Sequence, residues 1–332
     1  MGDRSIIKKF RKVSLVALAL LVSQVAIADS TREVSIGQNS PSLPAAASRI
    51  ANELGLFEKH NIKAKVVPMD NASVTTMGMI SGSLDFATTA PTDVVVSQAR
   101  GQKVVALCSV YTGFAGVLVL SKAAAAKTGV LATAPVKERL KALNGLLIAS
   151  PSATSTYTFA YKSAAEAAGA NIKFVYMAQP AMVAALESGA IQGFIAGSPV
   201  YARPIVAGSG VMWINGPKRE LGDQYTPINA LTLNARRDFA QDNQSLVKNL
   251  TAVYTDLGKA VEERPAAVKA AILKLYPELD SKTVELIYAT ESQGFKAKPL
   301  TKADMAHEIS FVQKSGMPLQ TDKLDPAAMI FP

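Results

Sequence analysis

Ten short apolar runs, most of them rich in β-branched or aromatic residues, alternate along the chain with longer stretches whose apolar positions fall three and four residues apart. The short runs predict strands over residues 34–37, 64–68, 85–88, 104–110, 116–120, 146–149, 173–176, 193–196, 211–214 and 230–233. The stretches between them predict helices, clearest over residues 45–56, 74–81, 92–100, 156–168 and 181–187. This alternation predicts an α/β fold with lobes built around mostly parallel sheets. After about Asp238 the strand pattern stops. Residues 245–264, 266–276, 281–290 and 302–314 all read as helices, with breaks at Pro265 and Pro277. A helical C-terminal tail of this kind packs onto a lobe already formed.

Two places read as crossovers between lobes. Residues 111–116 place Gly113 and Gly116 between adjacent strand patterns, and residues 216–227 are rich in Gly, Pro and charge. They bracket a central segment of about 110 residues, so the chain leaves one lobe and later returns to it, as hinge closure about a cleft requires. The expected division is 29–114 for the first part of lobe one, 115–222 for lobe two, and 223–332 for the rest of lobe one with the tail.

The N-terminal pattern is different. Arg4, Lys8, Lys9, Arg11 and Lys12 stand against one acid, Asp3, before an uncharged apolar run over residues 13–22 and the sequence Val25-Ala26-Ile27-Ala28. A basic region, a short apolar region and an Ala-x-Ala pattern in this order predict a secretory signal peptide, residues 1–28, cleaved after Ala28. The apolar run is well short of the roughly 20 residues that a membrane-crossing helix needs. No cysteine lies near the cleavage point to accept a lipid. The expected mature protein is therefore periplasmic and diffusible. Losing the leader's five bases and one acid takes the net charge from +9 to +5. The remaining bases are scattered, without the basic and aromatic interleaving that binds single strands, so no nucleic acid partner is implied. Cys108, the one cysteine, cannot form an internal disulfide and reads as a small buried apolar residue.

Reactive constellations are not evident. His60 and His307 are the only histidines, neither in a metal-ligand spacing, and both read as solvated positions. There is no G-x-S-x-G and no phosphate-binding Walker loop, and no base lies near Ser40, Ser42, Thr154 or Ser155 in sequence to activate a hydroxyl. The expectation is a non-enzyme without cofactor or metal.

Polar loops at the carboxyl ends of the predicted strands are more informative. Residues 37–42 follow the first strand, 69–73 the second and 88–93 the third. In the middle segment, residues 150–157, 178–180 and 197–199 do the same. Open α/β sheets bind ligands at such strand ends. Helix N-termini there present unpaired N–H groups, to which Ser and Thr add donors. The cluster Ser152, Ser155 and Thr156 is the strongest candidate for holding an oxyanion, although Ser and Thr at a helix start also serve as plain caps.

Four segments carry a resemblance. Residues 52–59 (NELGLFEK) resemble the A-x-E-x-G-L-F-E-K segment of solute-binding proteins for ABC importers of the nitrate, sulfonate and taurine class, which also covers binders of a thiamine pyrimidine precursor. Residues 80–87 (ISGSLDFA), 143–148 (LNGLLI) and 184–193 (AALESGAIQG) are similar to further segments of that family, in the same order. The resemblance implies a type II periplasmic binding protein fold: two α/β lobes, two crossovers, and a ligand clamped in the cleft. It places ligand contacts at Ser40, Asn71, Thr89 and Thr92 in one lobe and at Ser155, Thr156, Gln179 and Ser198 in the other, with Asn229 at the return crossover. Two departures stand out. Gln192 occupies a position where the family has Asp, and Gly197-Ser198-Pro199 replaces a bulky residue with an acid before proline. These changes point away from an aminosulfonate such as taurine and toward a larger or less basic ligand.

The expected function is thus a monomeric receptor that delivers a small organic, anionic solute to an inner-membrane ABC permease and its ATPase. A sensory receptor for a membrane kinase is one alternative. A second is an enzyme resembling the pyrimidine synthase of thiamine biosynthesis, which the scarcity of His and Cys and the leader both oppose.

Overall fold

The computed structural model describes residues 31–332 apart from positions 41, 70 and 154; the expected leader, residues 1–28, lies outside the described residues. The chain begins with β1 (Arg32–Gln38), α1 (Ala47–Glu53), α2 (Leu56–Lys59), β2 (Ile62–Pro68), α3 (Ala72–Ser81), β3 (Phe86–Thr89), α4 (Pro91–Ala99) and β4 (Val104–Thr112). The middle holds β5 (Val117–Ser121), α5 (Lys122–Lys127), α6 (Val136–Lys141), β6 (Leu147–Ser150), α7 (Thr156–Ala167), β7 (Lys173–Tyr176), α8 (Gln179–Glu187), β8 (Gly193–Ala196), α9 (Ala202–Val206) and β9 (Gly210–Asn215). Then come β10 (Asn229–Arg236), α10 (Arg237–Asp242), α11 (Gln244–Glu263), α12 (Pro265–Leu275), α13 (Ser281–Glu291) and α14 (Lys302–Lys314). The ten predicted strands are all present. The helix expected over residues 45–56 is interrupted where Gly55 takes a left-handed φ of 68° and starts α2.

The strands form two five-stranded sheets, in the orders β2-β1-β3-β10-β4 and β7-β6-β8-β5-β9. The expectation of mostly parallel pairing needs correction. β1 pairs parallel with β2 and β3, and β6 with β7 and β8, but β10 runs antiparallel to β3 and β4, and β5 antiparallel to β8 and β9. The crossovers explain it. β4 ends at Thr112 and the chain passes straight to β5, so β5 enters the second sheet from the side where the other strands finish: Val117 pairs with Ala196, the last residue of β8. β10 returns in the same way, with Asn229 opposite Thr112. One reversed strand per sheet is the geometric cost of crossing at that end.

Close packing at the crossovers requires glycine. A Cβ on Gly216 would lie 2.0 Å from the Gly116 carbonyl oxygen, and one on Gly116 would lie 2.8 Å from the Phe114 ring and 2.9 Å from the Tyr157 ring.

The tail is folded into the core. In α11 the buried side chains Leu246, Val247, Leu250, Val253, Tyr254, Leu257, Ala260 and Val261 form one helical face. Full burial of each large apolar side chain contributes about 1.5–3 kcal/mol. One apolar cluster runs from Ile36, Phe86 and Leu233 of the first sheet through Val284 and Ile287 of α13 to Phe194, Ala196 and Tyr201 of the second-sheet half. Cys108 is buried and unpaired within it. His60 is not the solvated loop residue expected: its Nε2 lies 2.9 Å from Asp256, which also accepts from Lys59 at 2.6 Å. His307 is likewise engaged, with Nε2 2.8 Å from the Thr226 carbonyl oxygen.

Candidate functional site

The finishing ends of both sheets enclose a cleft of about 450 Å³. From the first sheet come Asn39, Ser40, Ser42 and Pro44 after β1, Asn71 and Ala72 after β2, and Ala90, Thr92 and Asp93 after β3. From the second come Pro151, Ser152, Ser155, Thr156 and Tyr157 after β6, and Gln179 after β7. Phe114, Ala115 and Pro227 of the crossovers, with Ala230 and Leu231 of β10, complete the wall. Because β10 is reversed, its beginning rather than its end reaches this side.

Seven of the ten candidate residues therefore meet at one cleft: Ser40, Asn71, Thr92, Ser152, Ser155, Thr156 and Gln179. Several also hold the local fold. Asn71 caps α3, its Oδ1 accepting from Val74 N–H at 3.0 Å, and Ser155 caps α7, accepting from Tyr157 N–H at 3.1 Å. The Ser40 and Ser42 hydroxyls are 2.9 Å apart, and Gln38 Nε2 donates to the Ser40 carbonyl at 2.6 Å, which fixes the β1 loop. The Gln179 amide oxygen accepts from Gly197 N–H at 3.1 Å.

The other three candidates are engaged away from the cleft lining. Thr89 is buried in β3, where its Oγ1 accepts from Asn234 at 2.9 Å and its carbonyl from Thr232 at 3.2 Å, so it ties β3 to β10. Asn229 is wholly buried and its Oδ1 accepts from Ser109 at 2.8 Å, joining β10 to β4. Ser198 sits beside an apolar void of about 10 Å³; it accepts from Leu43 N–H at 3.2 Å and donates to Glu291 Oε2 at 3.0 Å. That bond chain joins the β1 loop, the β8 loop and α13.

Titratable groups around the cleft are few. Asp93 closes the first turn of α4 by accepting from Ala90 N–H at 3.1 Å; burial raises its pKa to about 6, against the pull of that hydrogen bond and one with Thr89. Behind the cleft, burial pushes Glu291 up to about 8, opposed by the hydrogen bond from Ser198. Burial also pushes Glu308 to about 8, opposed by the backbone N–H groups of Asn229 and Ile228. Burial holds the Tyr157 hydroxyl well above its ordinary value, so it is a neutral donor.

Tyr157, Asp93 and Asn39 stand in the polar strand-end loops that the sequence marks, but no feature of the sequence singles them out. Leu231 and Ala230 carried no local signal, since their role follows from the reversal of β10. Glu291 and Glu308 lie in the tail, more than 90 residues from Ser198 and about 80 from Asn229, and no motif marks them.

The sequence model of the NMT1-like family matches residues 28–275, three quarters of the chain. The chain belongs to the NMT1-like family. Similar solved structures include the periplasmic aliphatic sulphonate binding protein SsuA from Escherichia coli, at 17% identity, covering 91% of this chain and 98% of that one with a TM-score of 0.70. The alkanesulfonate-binding protein SsuA from Xanthomonas axonopodis pv. citri, bound to MOPS, is 16% identical over 91% and 99%, with a TM-score of 0.68. The periplasmic nitrate-binding protein NrtA from Synechocystis PCC 6803 is 15% identical over 90% and 85%, with a TM-score of 0.62. Comparison with curated proteins gave no match. This NMT1-like chain thus has the periplasmic binding protein fold: two α/β lobes, two crossovers and a C-terminal helical tail.

Proposed function

We propose that this chain is a periplasmic solute-binding protein, acting as a monomer, that captures a small organic solute in the cleft and presents it to an inner-membrane ABC permease. The observation that carries the reading is the convergence of polar strand-end loops from both sheets on one cleft whose back wall is made of the crossovers. A chain that bends only at those crossovers closes both sets of loops on a ligand together. The volume suits a small organic molecule and is generous for an inorganic anion. The neighbours that bind sulfonates and nitrate share the fold, which favours transport over catalysis without naming the solute.

Calorimetry tests the reading directly. Saturable one-to-one binding should be accompanied by a smaller radius of gyration in X-ray scattering. A broad panel that produces no stabilisation, together with no solute retained after purification, removes the receptor reading. N-terminal sequencing of protein recovered from the periplasm should begin at Asp29; protein confined to the cytoplasm refutes the location. Genes for a permease and ATPase beside this one distinguish transport from a kinase-coupled sensor.

A further inference from the structure

Charge is where the cleft departs from what an anion receptor needs. Among the described residues lining it there is no Lys, Arg or His, and the ionisable carboxyl is Asp93. Helix N-termini are then the main source of positive potential, and side chains of this chain already take part of it. The Val74, Ala90 and Tyr157 N–H groups are taken by Asn71, Asp93 and Ser155 respectively. In the first turns of α4 and α8, Pro91 and Pro180 each remove a donor.

The remaining polar groups include acceptors without partners. Gln38, which ends β1 next to Asn39 and is itself outside the lining, has its Nε2 committed to the Ser40 carbonyl, which leaves its Oε1 buried and unbonded. The Asn39 amide, in the lining itself, also holds a buried polar atom without a partner. Unmet buried acceptors are costly and are relieved by a donor. Much of the rest of the wall is apolar. Phe114 and Tyr157 meet edge to face with centroids 5.3 Å apart, flanked by Pro44, Pro151 and Leu231.

We propose that the cleft takes an organic solute whose head donates hydrogen bonds through nitrogen, as an amide or a protonated amine, on a compact apolar body, and that it discriminates against oxyanions. This rests on the receptor reading and narrows it away from the anionic solute expected from the sequence. Asp93 would answer an ammonium group by charge, whereas an amide would rely on the neutral acceptors.

The test uses the purified mature protein and probes that share one body: benzamide, benzylamine, benzoate and benzenesulfonate, with nitrate added. Isothermal titration should give benzamide or benzylamine at least tenfold tighter binding than benzoate or benzenesulfonate, with nitrate silent. Asp93→Asn keeps an acceptor for the Ala90 N–H; it should weaken benzylamine at least tenfold more than it weakens benzamide, and an equal loss for both overturns the charge role of Asp93. Benzoate, benzenesulfonate or nitrate binding more tightly than both nitrogen heads overturns the inference and leaves the receptor standing. If no probe binds, native mass spectrometry of protein from the periplasm decides. A retained solute with a nitrogen donor head supports the inference, a retained oxyanion overturns it, and no retained solute defeats both readings.

Discussion

Replacing Glu291 by Gln should change how stability depends on pH more than it changes stability itself. The Glu291 carboxyl is fully buried; its Oε2 accepts from Ser198 at 3.0 Å and its Oε1 has no partner. Burial lifts its pKa from the ordinary 4.5 to about 8. Between those values the native state holds a proton that the unfolded state has released, so stability falls as pH rises. At about 1.4 kcal/mol per pH unit, this group alone lowers stability by about 2 kcal/mol between pH 6 and 7.5 and by about 5 kcal/mol across the window. Gln has the shape of the protonated acid, keeps an acceptor for Ser198 and does not titrate. Glu308, raised in the same direction, is present in both proteins and cancels in the comparison. Urea unfolding at pH 6, 6.75 and 7.5 measures the difference, with urea slopes checking that the unfolded state is unchanged. Glu291→Gln should gain on the parent by about 2 kcal/mol across that range. Parallel pH profiles would refute the claim that Glu291 is protonated in the native protein.

Gly216→Ala puts a Cβ 2.0 Å from the Gly116 carbonyl oxygen, a contact with backbone that must shift; thermal unfolding should register a loss of about 1–3 kcal/mol or more. Asn71→Ala removes the cap of α3 and should cost about 1 kcal/mol in urea unfolding, with any change in ligand affinity read separately by titration. Arg139 is buried and binds the carbonyls of Ala134 and Trp213 and the Glu220 carboxylate at 2.8, 2.5 and 3.0 Å; Arg139→Ala should cost about 3–5 kcal/mol by stranding those acceptors, and a loss under 1 kcal/mol would contradict the network.

Strand positions were legible because buried β segments here are short apolar runs bounded by Gly, Pro and polar loops. The run at Gly193–Ala196, buried throughout, coincides with β8. Helices α5, α6, α9 and α10 were not legible, since none exceeds six residues and so none shows a period. The reversal of β5 and β10 was hidden because strand direction is a property of the crossing, not of composition. For the site, loop position predicted proximity well. It did not predict which hydroxyls were already committed. Thr89 and Asn229 look like their neighbours in sequence, but their partners, Asn234 and Ser109, lie 145 and 120 residues away.

The place of β10 has a kinetic consequence. It lies between β3 and β4, and Thr232 meets Thr89 across 143 residues of chain. Until β10 arrives, β4 has no strand partner in its own sheet and the first half of the molecule carries an open edge. A nascent chain therefore cannot complete its first sheet until the whole central segment has been made. Closing a loop of that length adds entropy cost only logarithmically, but it makes the decisive pairing non-local and slow. During that interval β3 and β4 are available to the wrong partner, and the rate of misfolding is governed by a strand that lies more than a hundred residues downstream.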